Sequence, residues 1–319
     1  MTPTLVSSQT GAAQFLTVPG RGTVGRIHTL SSQYPVKLMS PSPLPSAKSL
    51  VIHVLSYGGG LVQGDNVTVR GTVSTSSTVV LTTQGFTKVF VGGRGSKQSL
   101  EIKVGKGGIC ALLPDPVQCF RGSCYVQDQV FEVEVGGSLC VLDWVCDGRT
   151  GESWEFERFL SRNEVWEVQP EPASNGDGTT NGDATTNGDA TTNGESDEKA
   201  KGSRRRLVIK DNVRLDGSVQ QRMLSPHSPH RMYTTLATLI LQGPAFDALS
   251  SSLLTRFRNE KVNVQETSLW TVAKTTRGAT VVKVAAEGGV EECRRVIWGL
   301  VGEGLEELVG REGVRALVE

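Results

Sequence analysis

The sequence predicts a mostly β protein that has two α-helices near its C-terminus. Three observations support this prediction. Turns recur roughly every 8 to 12 residues between about residues 23 and 168, as in all-β proteins. Apolar and polar residues alternate within several of the intervening segments, and helical spacing of apolar residues occurs only after residue 243. Glycine is also frequent, with 37 residues, which suits a turn-rich β protein better than a helical bundle.

The first half of the chain reads as a succession of short strands. Leu100, Ile102 and Val104 alternate with polar residues, and a period of two is typical of half-buried strands. Regular turn spacing favours an all-β sandwich, barrel or solenoid. The predicted strands lie in the segments SLVIHVL, NVTVRGTV, TVVLTT, TKVFVGG, SLEIKVG, GICALLP, QVFEVEVG, GSLCVLDWV and ESWEFERFL.

Composition changes abruptly at about residue 170. The tract NGDGTTNGDATTNGDATTNGE repeats a hexapeptide and contains no aliphatic residue larger than alanine. Six-residue periods occur in parallel β-helices, but each rung of such a helix needs an aliphatic residue. Because a segment without apolar residues cannot offset its ordering entropy, we predict a disordered insertion at about 170–204. Residues 1–319 are therefore predicted to form a single domain that this insertion interrupts.

After the insertion, RRLVIKDNVRLDG resumes the β pattern. Pro244 then precedes an apolar stripe with helical spacing, which predicts a helix with proline in its first turn. The segment SLWTVAKTTRGATVVKVAAE predicts a hairpin that turns near Arg277 and Gly278. A second apolar stripe predicts a final amphipathic helix, and we expect both stripes to face the core. The two stripes are Phe246, Leu249, Leu253 and Phe257, then Val290, Cys293, Ile297, Leu300, Leu305 and Leu308.

Charge and targeting patterns exclude several classes of protein. Lys and Arg together equal Asp and Glu together, at 33 each, so no global field attracts nucleic acid or an anionic membrane. The sequence has no 18-residue apolar run and no pattern of a signal or transit peptide. Its six cysteines form no C-x-x-C pair, which argues against a zinc ribbon or a thioredoxin-like site. We therefore expect a cytoplasmic protein whose cysteines are reduced thiols.

The glycine-rich stretch LSYGGGLVQGDNVTV resembles a phosphate loop only superficially. A P-loop requires Gly-Lys followed by Ser or Thr, whereas Asp65 follows Gly64 here and its carboxylate would repel phosphate. The dinucleotide fingerprint must open a helix, whereas NVTVRGTV reads as a strand. The stretch is therefore interpreted as a glycine-lined bend that presents Asp65, either as a cap of exposed amides or as a functional group.

Signals of catalysis are sparse. The sequence contains no G-x-S-x-G or H-E-x-x-H motif, and His227 and His230 are flanked by prolines that disfavour a helical metal-binding pair. Carboxylates are scattered along the β region, and residue types alone do not identify a catalytic pair among them. They are Asp65, Asp115, Asp143, Asp147 and Glu152.

Four longer motifs are more specific because they occur in a fixed order. They are YGGGLVQGD from Tyr57, LTTQGFTKVF from Leu81, LLPDPVQCFRGSCYVQ from Leu112 and DWVCDGRTGESWEF from Asp143. Together they closely resemble the urease accessory protein family UreD, also called UreH. The resemblance covers about residues 20–165 and is weaker in the last 75 residues. Phe90 stands where the family commonly has tyrosine, and the Asn-Gly-Asp insertion matches no family pattern.

This resemblance implies a β-helical scaffold that is not an enzyme. Proteins of the family bind apo-urease together with UreF and the GTPase UreG, and they promote lysine carbamylation and nickel insertion. The resemblance thus implies these partners, no tightly bound cofactor, and nickel handled transiently. A β-solenoid binding module and a metal-dependent hydrolase are the alternative functions, although the latter needs a compact His and carboxylate cluster.

Asp65 and Glu152 match acidic positions of the family motifs and are our candidates for a transient nickel path. Isolated carboxylates bind a divalent ion less tightly than a full set of His and Cys ligands, and they exchange quickly. Lys88 matches the lysine of the TTQ strand, and it either pairs with one of these acids and holds it in place or is an ordinary surface lysine. The candidates for structural or partner-contact roles are Tyr57, Gly58, Gly59, Gly60, Gly64, Gln84, Lys88 and Arg149.

Overall fold

The fold is described from a computed structural model, which covers residues 10–20, 22–149, 151–169, 204–216, 223–225, 228–260 and 267–318. The predicted insertion at about 170–204 lies almost entirely outside the described residues, as does His227. In chain order the strands are β1 (Thr10–Val18), β2 (Arg26–Ser32), β3 (Val36–Met39), β4 (Leu50–Ser56), β5 (Gly60–Leu61), β6 (Asn66–Val73), β7 (Thr78–Thr82), β8 (Thr87–Val89), β9 (Ser96–Val104), β10 (Ile109–Leu112), β11 (Val117–Cys119), β12 (Cys124–Glu134), β13 (Ser138–Cys146), β14 (Arg158–Val168), β15 (Arg205–Asp216), β16 (Leu224–Ser225), β17 (Ser228–Met232), β18 (Thr235–Gln242), β19 (Ser268–Lys274) and β20 (Thr280–Ala286).

The strands form two large sheets that are built as a solenoid. In sheet A the order is β15-β14-β12-β9-β6-β1-β2, and in sheet B the main path is β19-β20-β18-β13-β10-β7-β4-β3. The chain alternates between the sheets, so that β4, β7, β10 and β13 stack in parallel in sheet B while β6, β9, β12 and β14 stack in parallel in sheet A. The short strands β5, β8 and β11 also pair in parallel, and β11 joins them to β13 of sheet B. These parallel stacks confirm the predicted mostly β, solenoid-like scaffold.

The helices lie near the C-terminus, as predicted. They are α1 (Asp247–Asn259), α2 (Gly289–Ile297), α3 (Glu303–Val309) and the short α4 (Arg315–Val318), and a π-helical turn at Trp298–Gly302 joins α2 to α3. The predicted hairpin is formed by β19 and β20, with Gly278 in its turn at a φ of 94°. None of the helices in the described ranges is long and apolar enough to cross a membrane.

Two apolar cores hold together three layers, which are sheet A, sheet B and the C-terminal helices. One core fills the space between the two sheets, and the other packs the helices on the outer face of sheet B. Neighbouring residues of one strand serve both, since Val79 and Leu81 belong to the first core and Val80 to the second. Strands covered on both faces read as continuous apolar runs, which explains why β7 and β13 do not alternate.

One residue of the predicted helical stripes departs from expectation. Leu253 of α1 is buried, but Phe257 is 40% exposed and stacks edge-on against Trp270 of β19 at 5.1 Å between ring centroids. It lies in the last turn of α1, beyond the part of the helix that the core covers.

Candidate functional site

The glycines of the YGGGLVQGD motif shape the backbone. Gly58, Gly59 and Gly64 have φ angles of 75°, 74° and 80°, in a region that residues with a Cβ seldom adopt. Gly60 is required for a different reason, because a Cβ there would lie 2.4 Å from the carbonyl oxygen of Lys88. Tyr57 is exposed and its ring packs 5.4 Å from that of Tyr34.

Asp65 ends this motif as a buried carboxylate that is only 3% exposed. Its Oδ2 accepts a hydrogen bond from the Val62 backbone N–H at 2.9 Å, which is the capping role considered from the sequence. Its Oδ1 is buried and has no hydrogen-bond partner within the described residues. Burial raises the pKa of Asp65, and the hydrogen bond from Val62 opposes that rise. Asp65 also lines a surface cavity that contains the cations Arg94 and Lys97.

Glu152 lies in the turn between β13 and β14. Its Oε2 accepts a hydrogen bond from the Arg121 backbone N–H at 3.1 Å, so this acid also has a local partner. In the same turn the Arg149 guanidinium lies 4.0 Å from the centroid of the Phe120 ring. Asp65 precedes β6 and Glu152 precedes β14. These two strands are three positions apart in sheet A, which at the usual spacing between neighbouring strands separates them by about 14 Å. The two acids therefore belong to different sites.

Other predicted residues line a common cavity of about 210 Å³, which we call the outer cavity. Gly59, Gln84 and Lys88 come from two of the motifs and all line it, together with Gln98 of β9. Gln84 and Lys88 are exposed, so this cavity opens at the surface.

Further inside lies a smaller space of about 40 Å³, the middle cavity, which shares Thr83, Thr87 and Gln98 with the outer cavity. Gln127, Gln129 and Asp143 line its inner end. Asp143 also lines a third space of about 300 Å³, the edge cavity, which lies between the two sheet edges formed by β15 and β19. The outer and middle cavities are neighbours because they share lining residues, and the middle and edge cavities share Asp143 and Trp144.

Asp143 stands where the middle and edge cavities meet. Its carboxylate accepts hydrogen bonds from Gln127 Nε2 at 3.1 Å, Ser161 Oγ at 2.6 Å and Asn163 Nδ2 at 2.7 Å. Burial raises the pKa of Asp143, while the bonds from Ser161 and Asn163 oppose that rise and the nearby Asp211 adds to it. Burial therefore makes this carboxyl group easier to protonate than an exposed one.

The polar lining is a consequence of strand register. Gln98, Gln127 and Ser161 are direct partners in the parallel stack of β9, β12 and β14, so their side chains form a file facing β13. Leu100, Gln129 and Asn163 form the adjacent file. The Tyr125 hydroxyl lies within hydrogen-bonding distance of two acceptors, Gln98 Oε1 at 3.3 Å and Gln127 Oε1 at 3.1 Å.

Several buried oxygens lack a hydrogen-bond partner within the described ranges, and one of them, Gln129 Oε1, belongs to a residue that lines the middle cavity. They include Gln129 Oε1, Asn163 Oδ1 and Asp211 Oδ2. A buried acceptor without a donor is costly, and a water molecule or a passing cation would satisfy it. Each of these atoms can therefore accept a hydrogen bond from a buried water molecule.

None of the six cysteines lines the outer, middle or edge cavity. All six are free thiols, and all except the half-buried Cys124 are buried. Burial raises the pKa of Cys110, Cys146 and Cys293 to about 12. In the described part of the chain, no three His, Cys, Asp or Glu side chains come together as a metal-binding group.

The interior residues were not selected from the sequence as a site. Asp143 is one of the scattered carboxylates, and the glutamines of β12 are not singled out. A signal was available, because Gln127 and Gln129 occupy the alternating inward positions between Tyr125 and Phe131. Their meeting with Asp143 depends on long-range register, which alternation does not reveal.

Comparison with known proteins extends the resemblance to almost the whole chain. The sequence model of the family described as UreD urease accessory protein matches residues 11–317. Urease accessory protein D of Arabidopsis thaliana is 37% identical over 163 residues, which are 49% of this chain and 54% of that protein. Urease accessory protein UreD of Sorangium cellulosum is 36% identical over 49% of each chain. An uncharacterized urease accessory protein ureD-like of Schizosaccharomyces pombe is 27% identical over 80% of this chain and 81% of its own length. The matches with the plant and bacterial proteins span about half of their length.

Proposed function

The chain belongs to the UreD family of urease accessory proteins, and from this premise we propose that it is a non-enzymatic chaperone of urease maturation. It binds apo-urease together with UreF, and UreG joins through the UreF-containing complex. In that complex it assists the insertion of nickel, which is its cargo and not a resident cofactor. The observation that carries the proposal is the family match over residues 11–317, within which the four motifs occur in order.

The interior cavities supply a physical route for the cargo. The file of Gln98, Gln127 and Ser161 presents carboxamide and hydroxyl oxygens. Oxygen ligands hold nickel less tightly than thiolate or imidazole ligands do. A route for a transferred ion must favour entry without trapping the ion. The oxygens of this file are neutral, whereas Lys88 lines the outer cavity and Lys283 lines the edge cavity, so a cation on the route depends on Asp143 to offset these positive charges.

Asp143 provides the negative charge on this route. A divalent cation in a buried space needs at least partial neutralisation, and this carboxylate lies where two cavities meet. Because burial raises the pKa of Asp143, a proton competes with the metal ion for the site. This competition weakens binding and speeds release, which suits transfer.

Asp65 and Glu152 remain candidate exchangeable ligands outside the interior. Each already accepts a backbone hydrogen bond, and Asp65 has a second oxygen that is free of one within the described residues. The nearby Arg94 and Lys97 disfavour a cation beside Asp65. We therefore rank both acids below Asp143 as nickel ligands.

Reconstitution tests this function directly. Apo-urease incubated with this chain, UreF, UreG, bicarbonate, GTP and nickel should become active, and omission of this chain should leave it inactive. A binding module or a metal-dependent hydrolase predicts equal activity with and without the chain. Equal activity would therefore reject the proposal.

A further inference from the structure

A buried arginine connects the helical layer to the cavities. Arg294 of α2 is only 6% exposed. Its Nε donates to the Ala316 carbonyl of α4 at 3.0 Å, and its Nη1 donates to Glu291 Oε1 at 2.6 Å. Its Nη2 lies 3.5 Å from Asp115 Oδ1, and its guanidinium lies 5.9 Å from the centroid of the Trp144 ring. The planar guanidinium group therefore contacts three partners, Ala316, Glu291 and Asp115.

Asp115 passes this connection on to the TTQ motif. Its Oδ2 accepts hydrogen bonds from the Gly85 backbone N–H at 2.8 Å and from the Thr83 hydroxyl at 3.2 Å. Its own backbone N–H donates to Thr83 Oγ1 at 2.8 Å. One carboxylate oxygen therefore faces the arginine while the other fixes the turn at Thr83–Gly85.

That turn forms part of the wall between two cavities. Thr83 lines both the outer and the middle cavity, Gln84 and Gly85 line the outer one, and Asp115 lines the middle one. The middle cavity is the smallest of the three, at about 40 Å³, so a small movement of this wall changes a large fraction of its volume.

We propose that Arg294 is a positioning residue for nickel transfer, because it holds Asp115 and Asp115 holds the Thr83–Gly85 turn at the wall of the middle cavity. This inference rests on the proposed function. Net stability is a weak reason for such a pair, since a buried ion pair often contributes little compared with apolar side chains of similar volume. Removing only the arginine leaves a largely buried carboxylate without its cation, and the cost of that unpaired charge favours movement of Asp115 towards solvent and away from Gly85.

Amide hydrogen exchange on the full-length chain tests the positioning without urease. In Arg294→Met, exchange at residues 83–86 should rise about tenfold, the factor expected for one charge-assisted hydrogen bond. In the double variant with Asp115→Asn, protection should return towards the wild-type level, because the asparagine oxygen still caps Gly85 and no unpaired charge remains. Glu291→Gln is the matched control. It changes a partner of the same guanidinium whose side chain is 76% exposed, and it should leave protection unchanged.

Reconstitution provides the second measurement. Arg294→Met should require several-fold more nickel for half-maximal urease activation, and the double variant should recover. If Arg294→Met folds poorly, Arg294→Lys keeps the charge and should give the same pattern in weaker form. Wild-type exchange at residues 83–86 in Arg294→Met, or a double variant as defective as the single one, would overturn the inference. Failure of the wild-type chain to activate urease would instead reject the proposed function.

Discussion

Replacing Asp143 by asparagine should separate nickel transfer from folding. The change removes the charge and keeps the shape of the side chain. The amide oxygen can keep the bonds from Ser161 and Asn163, while the new NH2 group faces the donor Gln127 Nε2. Losing that bond and leaving the donors unpaired costs about 1–3 kcal/mol. The loss is partly offset because the variant no longer buries a charge, whose cost is reflected in the raised pKa of Asp143.

We therefore expect the free energy of unfolding to fall by less than about 3 kcal/mol, which a domain with a typical stability of about 5–15 kcal/mol tolerates. Urease activation at limiting nickel should fall about tenfold or more, because 1.4 kcal/mol of lost stabilisation for a passing ion already corresponds to about tenfold in rate. Denaturant unfolding and the activation assay measure the two quantities.

Asp128→Asn is the matched control. Asp128 lies next to Gln127 on β12 but faces outward, where it pairs with Lys97 and Arg162. Exposed pairs contribute about 1 kcal/mol or less, so this variant should keep both stability and activation. Wild-type activation by Asp143→Asn at limiting nickel, or an equal loss in Asp128→Asn, would refute the role of the interior route.

Three further predictions address other parts of the chain. Asp65→Asn and Glu152→Gln should preserve assembly with UreF and UreG and lower activation at limiting nickel, with partial rescue by added nickel. Wild-type rates in both would remove these acids from the nickel path. Deleting residues 174–199 should leave soluble yield and activation intact, and a loss of either would assign the tract a role of its own. Burial raises the pKa of Asp147 to about 6, so the native state holds its proton more tightly than the unfolded chain does, and this contribution is lost as pH rises through 6. Asp147→Asn should therefore be more stable than the wild type above pH 6, by roughly 1 kcal/mol after solvent screening, with the gap closing below about pH 4 in urea titrations.

The sequence carried most of the scaffold because local patterns specify it. Alternation identified β9 and β12, and the helical stripes identified α1 and α2. Strand β1 was missed because TGAAQFLTV begins with small residues of weak β propensity. It forms because β6 offers a parallel partner, and because Phe15 packs where a Cβ on Gly71 would lie only 2.1 Å from its ring. Such a fit between distant residues leaves no local signal.

The candidate site was likewise only partly predictable from the sequence. The motifs directed attention to Gln84 and Lys88, which line the outer cavity, since short-range spacing carries that information. Asp143 and Arg294 acquire their roles from strand register and helix packing. The sequence presents Asp143 as one charged residue in an apolar run and Arg294 as one of several neighbouring charged residues, and only the fold brings in their partners.

The buried thiols determine which metal chemistry the interior offers. A thiol with a pKa of about 12 stays protonated at any physiological pH, and a protonated thiol is a poor ligand. Copper and zinc favour thiolate ligands, and these buried cysteines therefore bind them poorly. Because none of the six cysteines lines the outer, middle or edge cavity, a metal ion on the proposed route would meet oxygen ligands and no thiolate.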